Sequence, residues 1–167
     1  ESGKFVYRQW VSGVLTYFVS DPVFRDPSAW YHIVLSVDTT QSTAANRVRF
    51  YVNGTELTDF DTATYPSQNY DFHINNTDDQ YVGYNLYNEH DGLMSQCYLV
   101  DGQALSPTDF GFTDPLTNTW RPKKYTGDFN GPQIGSTDYS ATATSITNSQ
   151  GSFTLANIGK LFDGSIT

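Results

Sequence analysis

The stretch Arg47-Val48-Arg49-Phe50-Tyr51-Val52 followed by Asn53-Gly54 restricts the fold more than any other part of the chain. Side chains alternate between the two faces of a strand, so Val48, Phe50 and Val52 share one face while both arginines take the other. Asn-Gly suits the left-handed backbone of a type I′ turn, which predicts a tight hairpin into Thr55-Glu56-Leu57. A hairpin with one oily face needs further strands beside it and a second layer over it. Other runs repeat the pattern. Phe5 to Val11 and Val14 to Phe18, separated by Ser12-Gly13, predict another hairpin, and Tyr31 to Val37 predicts a strand with Ile33, Leu35 and Val37 on one face.

Composition agrees with sheets rather than helices. The chain has 15 Asp but only 3 Glu and 4 Lys, so it lacks the usual surface residues of helices. Its abundant Tyr, Phe, Thr and Val fit pleated, half-buried surfaces, and Asn, Asp, Gly and Ser supply turns. At 167 residues the length fits one domain with an appended segment, large enough to bury roughly 70% of its unfolded surface. Leu93 to Val100 is the most apolar run and is expected at the centre of a sheet, with the single cysteine, Cys97, buried there as an inert thiol. Thr58 to Asp79 reads as a long loop with a short strand near Tyr70 to Ile74, and Gln80 to Gly83 as another short strand. Pro107 to Gly111 reads as one helical turn capped by Ser106.

Residues 1–127 are thus expected to form the sandwich itself. Residues 128–167 are dominated by Gly, Ser, Thr, Asn and Ala and are expected to form an extension: edge strands, a linker, or a strand lent to a neighbouring subunit. The chain starts at Glu1 without Met and closes on Leu161 to Thr167, which reads like the opening of another unit, as expected of a processed or partial chain.

Three ordered series resemble one family. Val23-Phe24-Arg25-Asp26-Pro27-Ser28-Ala29-Trp30-Tyr31-His32-Ile33-Val34 leads into Val37-Asp38-Thr39-Thr40-Gln41, Asn46-Arg47-Val48 and Tyr51-Val52-Asn53-Gly54. Asp91-Gly92-Leu93-Met94 is followed by Val100 to Gly111, and Trp120-Arg121-Pro122-Lys123-Lys124-Tyr125-Thr126-Gly127 closes the match. Together they resemble the laminin-G-like, concanavalin A-like domains of tailed-phage structural proteins, particularly aquatic ones. The resemblance covers about residues 23 to 127. It implies an all-β, antiparallel, two-sheet jelly-roll sandwich. The front strands usual for the family look shortened, which implies that another strand or subunit completes a sheet.

A fold of this kind carries enzymes, lectins and inert spacers alike, so function has to come from sites. A glycosidase needs two carboxyl groups across a sugar. Glucanases on the fold that the resemblance implies usually carry Glu-x-Asp-x-x-Glu along one strand. The nearest run, Glu89-His90-Asp91-Gly92-Leu93-Met94, ends in Met94 where the last carboxylate belongs. His32, His73 and His90 have no nucleophile motif and no zinc spacing around them. The expectation is a protein without catalytic residues.

Binding is the better prospect. Tyr81, Tyr84, Asn85, Tyr87, Asn88 and His90 form the strongest carbohydrate-binding constellation, with rings for sugar faces and amides for hydroxyls; Trp30 and Trp120 are further candidates, with Trp30 expected in the core. Asp78, Asp79 and Asp91 lie in oxygen-rich loops that offer calcium ligands, although ordinary turns explain them more simply; no other cofactor is expected. Asn53 and Asn75 open Asn-x-Thr sequons, which would accept glycan in a eukaryotic secretory path. A net charge of −9 argues against nucleic-acid partners, and no apolar run is long enough for membrane insertion. The expected role is a structural module of a virion, tail fibre or extracellular filament. Its partners would be copies of itself, other virion or filament subunits, and cell-surface glycans; the location would be extracellular or the virion surface. A secreted carbohydrate-binding module is the alternative, and a glycoside hydrolase the least favoured.

Overall fold

A computed structural model of the chain describes residues 3–11, 13–74, 92–127 and 152–159, the last as backbone alone. The protein is predominantly β. Its strands are β1 (Lys4–Val11), β2 (Val14–Val23), β3 (Tyr31–Asp38), β4 (Val48–Val52), β5 (Thr55–Leu57), β6 (Phe60–Thr64), β7 (Met94–Asp101), β8 (Gly111–Thr113), β9 (Trp120–Pro122) and β10 (Ser152–Gly159). Two single-turn 3-10 segments, Ala44–Asn46 and Pro107–Asp109, interrupt them. Among the described residues no helix is long and apolar enough to cross a membrane.

All the ladders are antiparallel. A three-stranded sheet runs in the order β1-β2-β6, a five-stranded sheet in the order β5-β4-β3-β10-β7, and β8 pairs with β9. The predicted hairpins form. Val52 pairs with Thr55 across Asn53 and Gly54, whose φ angles of 50° and 78° are the two positive values a type I′ turn requires. Val11 pairs with Val14, with Gly13 at φ 84° in the turn. Asn53 does more than turn the chain: its Oδ1 accepts from the His32 backbone N–H, and its own N–H donates to the His32 carbonyl, both at 2.8 Å.

The three- and five-stranded sheets pack through a shared core of Phe5, Phe18, Leu35, Val37, Val48, Phe50 and Phe72. Alternation explains the membership, because Leu35 lies opposite Phe50 and Val37 opposite Val48 in the β3–β4 register. Phe50 is the hub. Its ring meets Phe18 at 4.9 Å, Phe5 at 5.2 Å and Phe60 at 5.8 Å, all edge to face, the arrangement that ring quadrupoles favour. A second, smaller cluster lies on the other face of the five-stranded sheet, where Val34 and Val100 meet Phe110 and Tyr125. The segment 104–125 is therefore a cap. Ser106 starts its 3-10 turn as predicted, with the Asp109 carboxylate accepting from both the Ser106 backbone N–H and its hydroxyl at 2.9 Å.

Several expectations need correction. β10 is not an edge strand, since it pairs with β3 on one side and β7 on the other. β7, expected at the centre, is the outermost described strand of its sheet, and Cys97 on it is exposed rather than buried. The apolar character of Leu93 to Val100 was a poor guide to position because β10, distant in sequence, takes the interior place between β3 and β7. Tyr70 to Ile74 forms no strand. Phe72 instead enters the core from a loop, and the strand in this region is β6, over Phe60–Thr64. Trp30, expected in the core, is 45% exposed just before β3.

Phe50→Ala is expected to lower the unfolding free energy by about 3–5 kcal/mol in urea titrations, because it leaves a cavity among the rings of Phe5, Tyr7, Phe18 and Phe60. Thr16 Oγ1 is buried on the inner face of β2 without a hydrogen-bond partner among the described residues. Thr16→Val keeps the shape and removes the stranded hydroxyl, so the same titration should show a gain of about 1 kcal/mol.

Candidate functional site

One face of β3 changes chemistry along its length. His32 meets the cap, Val34 joins the second core, and Ser36 and Asp38 open into a cleft. The cleft encloses about 250 Å³. Its floor comes from Ser36, Asp38, Arg49 and Tyr51, on paired positions of β3 and β4: Ser36 lies opposite Arg49, and Val34 opposite Tyr51. Gln41 and Asn46, from the β3–β4 connection, form one wall, and Ala104 to Ser106 of the cap form another. Tyr51 and Leu105 belong to both the cleft and the second core, which gives it one apolar end.

The first wall is held by a network. The Asp38 carboxylate accepts from the Thr40 N–H at 3.1 Å and the Thr40 hydroxyl at 2.6 Å on Oδ1, and from Gln41 Nε2 at 2.6 Å on Oδ2. Arg47 donates to three backbone carbonyls, those of Gln41, Ser42 and Pro66, each at 2.8 Å. A planar guanidinium suits this clamp because its donors diverge in fixed directions. Gln68 Nε2 and the Asn69 N–H brace the same connection through the carbonyls of Thr40 and Thr39. Arg49 differs from Arg47: it points into the cleft, with Nη2 donating to Asn46 Oδ1 at 2.8 Å and Nε 3.8 Å from Glu56 Oε1 on β5.

The second wall depends on Trp120. Its indole N–H donates to His32 Nδ1 at 2.8 Å, and the two rings stack at 5.8 Å. The indole fits only because glycines face it. A Cβ on Gly54 or Gly111 would lie 2.3 Å from its ring atoms. The β8–β9 turn that carries Trp120 is organised by Asp114, which accepts from the Leu116 N–H at 2.9 Å and from Arg121 Nε at 2.7 Å. These two bonds, the backbone one foremost, hold the Asp114 carboxyl below the usual carboxylate range. Burial pushes the His32 imidazole down from its ordinary 6.5 to about 4, so the ring stays neutral and Nδ1 remains free to accept.

The cleft can donate and accept hydrogen bonds. Its lining includes, among the described residues, one carboxylate, that of Asp38. Among the described residues no group of three or more His, Cys, Asp or Glu could hold a metal ion. The sequence-derived sugar-binding set Tyr81, Tyr84, Asn85, Tyr87, Asn88 and His90 lies outside the described residues, as do Asp78, Asp79, Asp91 and Asn75. Trp120 is engaged by His32, and Trp30 does not line the cleft. Sequence reasoning missed the cleft residues. Alternation did send Arg49 to the face away from the core, but nothing local indicated that residues 104–106 would roof that face.

Among known proteins, no family model, no curated protein and no solved structure matches this chain.

The His32–Trp120 contact sets a pH dependence. Between pH 6.5 and about 4 the unfolded chain takes up a proton at His32 that the folded chain refuses, so this contribution to stability is complete above 6.5 and declines as pH falls through that window. The stability difference between wild type and His32→Asn, from urea titrations across pH, should be level above 6.5 and shrink towards pH 4. A constant difference throughout would refute the buried neutral imidazole.

Proposed function

We propose that the protein is a non-catalytic binding and assembly module of a virion, tail fibre or extracellular filament, and that the cleft over β3 and β4 holds a glycan. The observation that carries this reading is the cleft lining: one arginine, one carboxylate, two amides and hydroxyls beside the ring of Tyr51. Hydroxyl-rich ligands need such alternating donors and acceptors next to an apolar surface. Two antiparallel sheets around a common core agree with a jelly-roll sandwich of the concanavalin A/laminin-G type, the family that the ordered residue series resembles.

The assembly half of the proposal draws on β7. Met94 and Leu99 on this outermost described strand are exposed, as is Leu93 just before it, and this apolar exposure is what the assembly reading draws on. A secreted carbohydrate-binding module would use the same cleft without self-association. Sedimentation of the purified chain separates the two, since the filament reading requires concentration-dependent oligomers.

Arg49→Ala removes the cation of the cleft while leaving both cores untouched. On a glycan array it should reduce binding at least tenfold with no loss of thermal stability. Undiminished binding would move the site elsewhere, and release of reducing sugar by the wild-type chain would replace the binding reading with an enzymatic one.

A further inference from the structure

We infer that the slot between β3 and β7 is an exchange site, filled in the assembled protein by the β10 strand of a second copy of this chain. This rests on the assembly half of the proposed function and supplies its mechanism.

Both walls of the slot have supports other than β10. β3 is tied to β4 by a ladder from Ile33 opposite Val52 to Val37 opposite Val48, and its inner face is fixed in the aromatic core. β7 is held through the cap. Val100 shares the second core with Val34, Phe110 and Tyr125, and the Tyr98 ring lies 6.0 Å from Phe110 and 6.2 Å from Tyr125. Among the described strands β7 pairs with β10 alone, so without β10 the two facing backbones would lack a ladder. β10 completes both. It runs from Ser152 opposite Asp38 to Gly159 opposite Tyr31 on one side, and from Phe153 opposite Asp101 to Gly159 opposite Met94 on the other. Each of these pairs forms equally well with a strand from another chain, so exchange gives up no contact.

The chain leading to β10 suits the crossing in length and in charge. Gly127 closes the described segment that carries the cap, and β10 begins at Ser152. At roughly 3.3 Å per residue the chain between them reaches at most about 80 Å. A compact body of residues 1–127 is only about 35 Å across, so that reach extends into a neighbour. Copies of a chain with net charge −9 repel one another when their surfaces approach. From Tyr139 to Gly159 there is no charged side chain, so the strand that crosses brings none of that repulsion with it. A copy's own strand competes at an effective concentration on the order of millimolar. Exchange therefore wins where copies are packed at such density, as along a fibre or filament.

The test traps the β10–β7 register by disulfide in the full chain carrying Cys97→Ser, because Leu155 lies opposite Leu99. One chain bears Leu99→Cys and an isotope-labelled chain bears Leu155→Cys, so a bond between positions 99 and 155 joins two copies. The two are refolded together at about 1 mM, where a neighbour's strand competes with the chain's own, and oxidised. Mass spectrometry should find bonds between positions 99 and 155 at least tenfold in excess of bonds between two positions 99. If a chain bearing both substitutions closes the bond within itself while the mixture leaves it unformed, the exchange inference is overturned. Ser95→Cys with Ile158→Cys, another opposed pair, repeats the test should Leu155→Cys disturb the strand. Absence of both bonds, within and between copies, overturns the inference too. Sedimentation of the unsubstituted chain keeps the two readings apart. Growing oligomers whose trapping variants bond only within a chain sink exchange and leave the filament reading, whereas trapped bonds confined to reciprocal pairs keep exchange and sink the filament reading.

Discussion

Tyr31–Asp38 has to satisfy two buried faces at once, and the rest of the molecule follows from how it does so. Ile33, Leu35 and Val37 point into the aromatic core shared with the three-stranded sheet. His32, Val34, Ser36 and Asp38 point the other way, beneath the cap and into the cleft. A strand covered on one side alone could carry charge on its free face. This one cannot do so along its length, so each polar residue on the second face needs a partner. His32 finds the Trp120 indole, and Asp38 finds Thr40 and Gln41. The chemistry of the cleft is the polar end of a face that is otherwise oily.

The cap is attached by shape as well as by bonding. Trp120 fits against two glycines from different elements, Gly54 in the β4–β5 turn and Gly111 at the start of β8, and its single N–H finds a buried acceptor. The Asn53-Gly54 pair thus has three jobs. It makes the hairpin, ties the backbone of His32 through the Asn53 side chain, and leaves space for the indole. Because the cap also carries residues 104–106, its seating on β3 sets the width of the cleft.

Much of the sheet framework was legible because it depends on near neighbours. The β4–β5 hairpin, the β1–β2 hairpin and the inward faces of β3 and β4 follow from alternation and from turn residues that tolerate positive φ. The Ser106 cap was readable for the same reason. What failed was the order of strands. Leu93 to Val100 is apolar enough for a central strand, yet it is the outermost described strand, with β10 between it and β3, and Cys97 on it is exposed. Phe72 was assigned to a strand and turned out to be a core residue on a loop, since aromatic burial alone does not distinguish the two. The cleft was not legible at all. Arg49, Asp38 and Asn46 look like ordinary surface residues until the cap is placed over them, and the stronger local signal, tyrosines and asparagines between residues 81 and 90, drew attention elsewhere.

The sequence by itself determined which residues pair across short turns and which side chains share a face, because both depend on backbone conformations set within a few residues. Tertiary structure alone decided that a strand from residues 152–159 enters between β3 and β7, and that a tryptophan far along the chain meets His32. Those contacts are chosen by complementarity of surfaces that form only once the sheets exist. No local pattern encodes which of several similar strands will supply it.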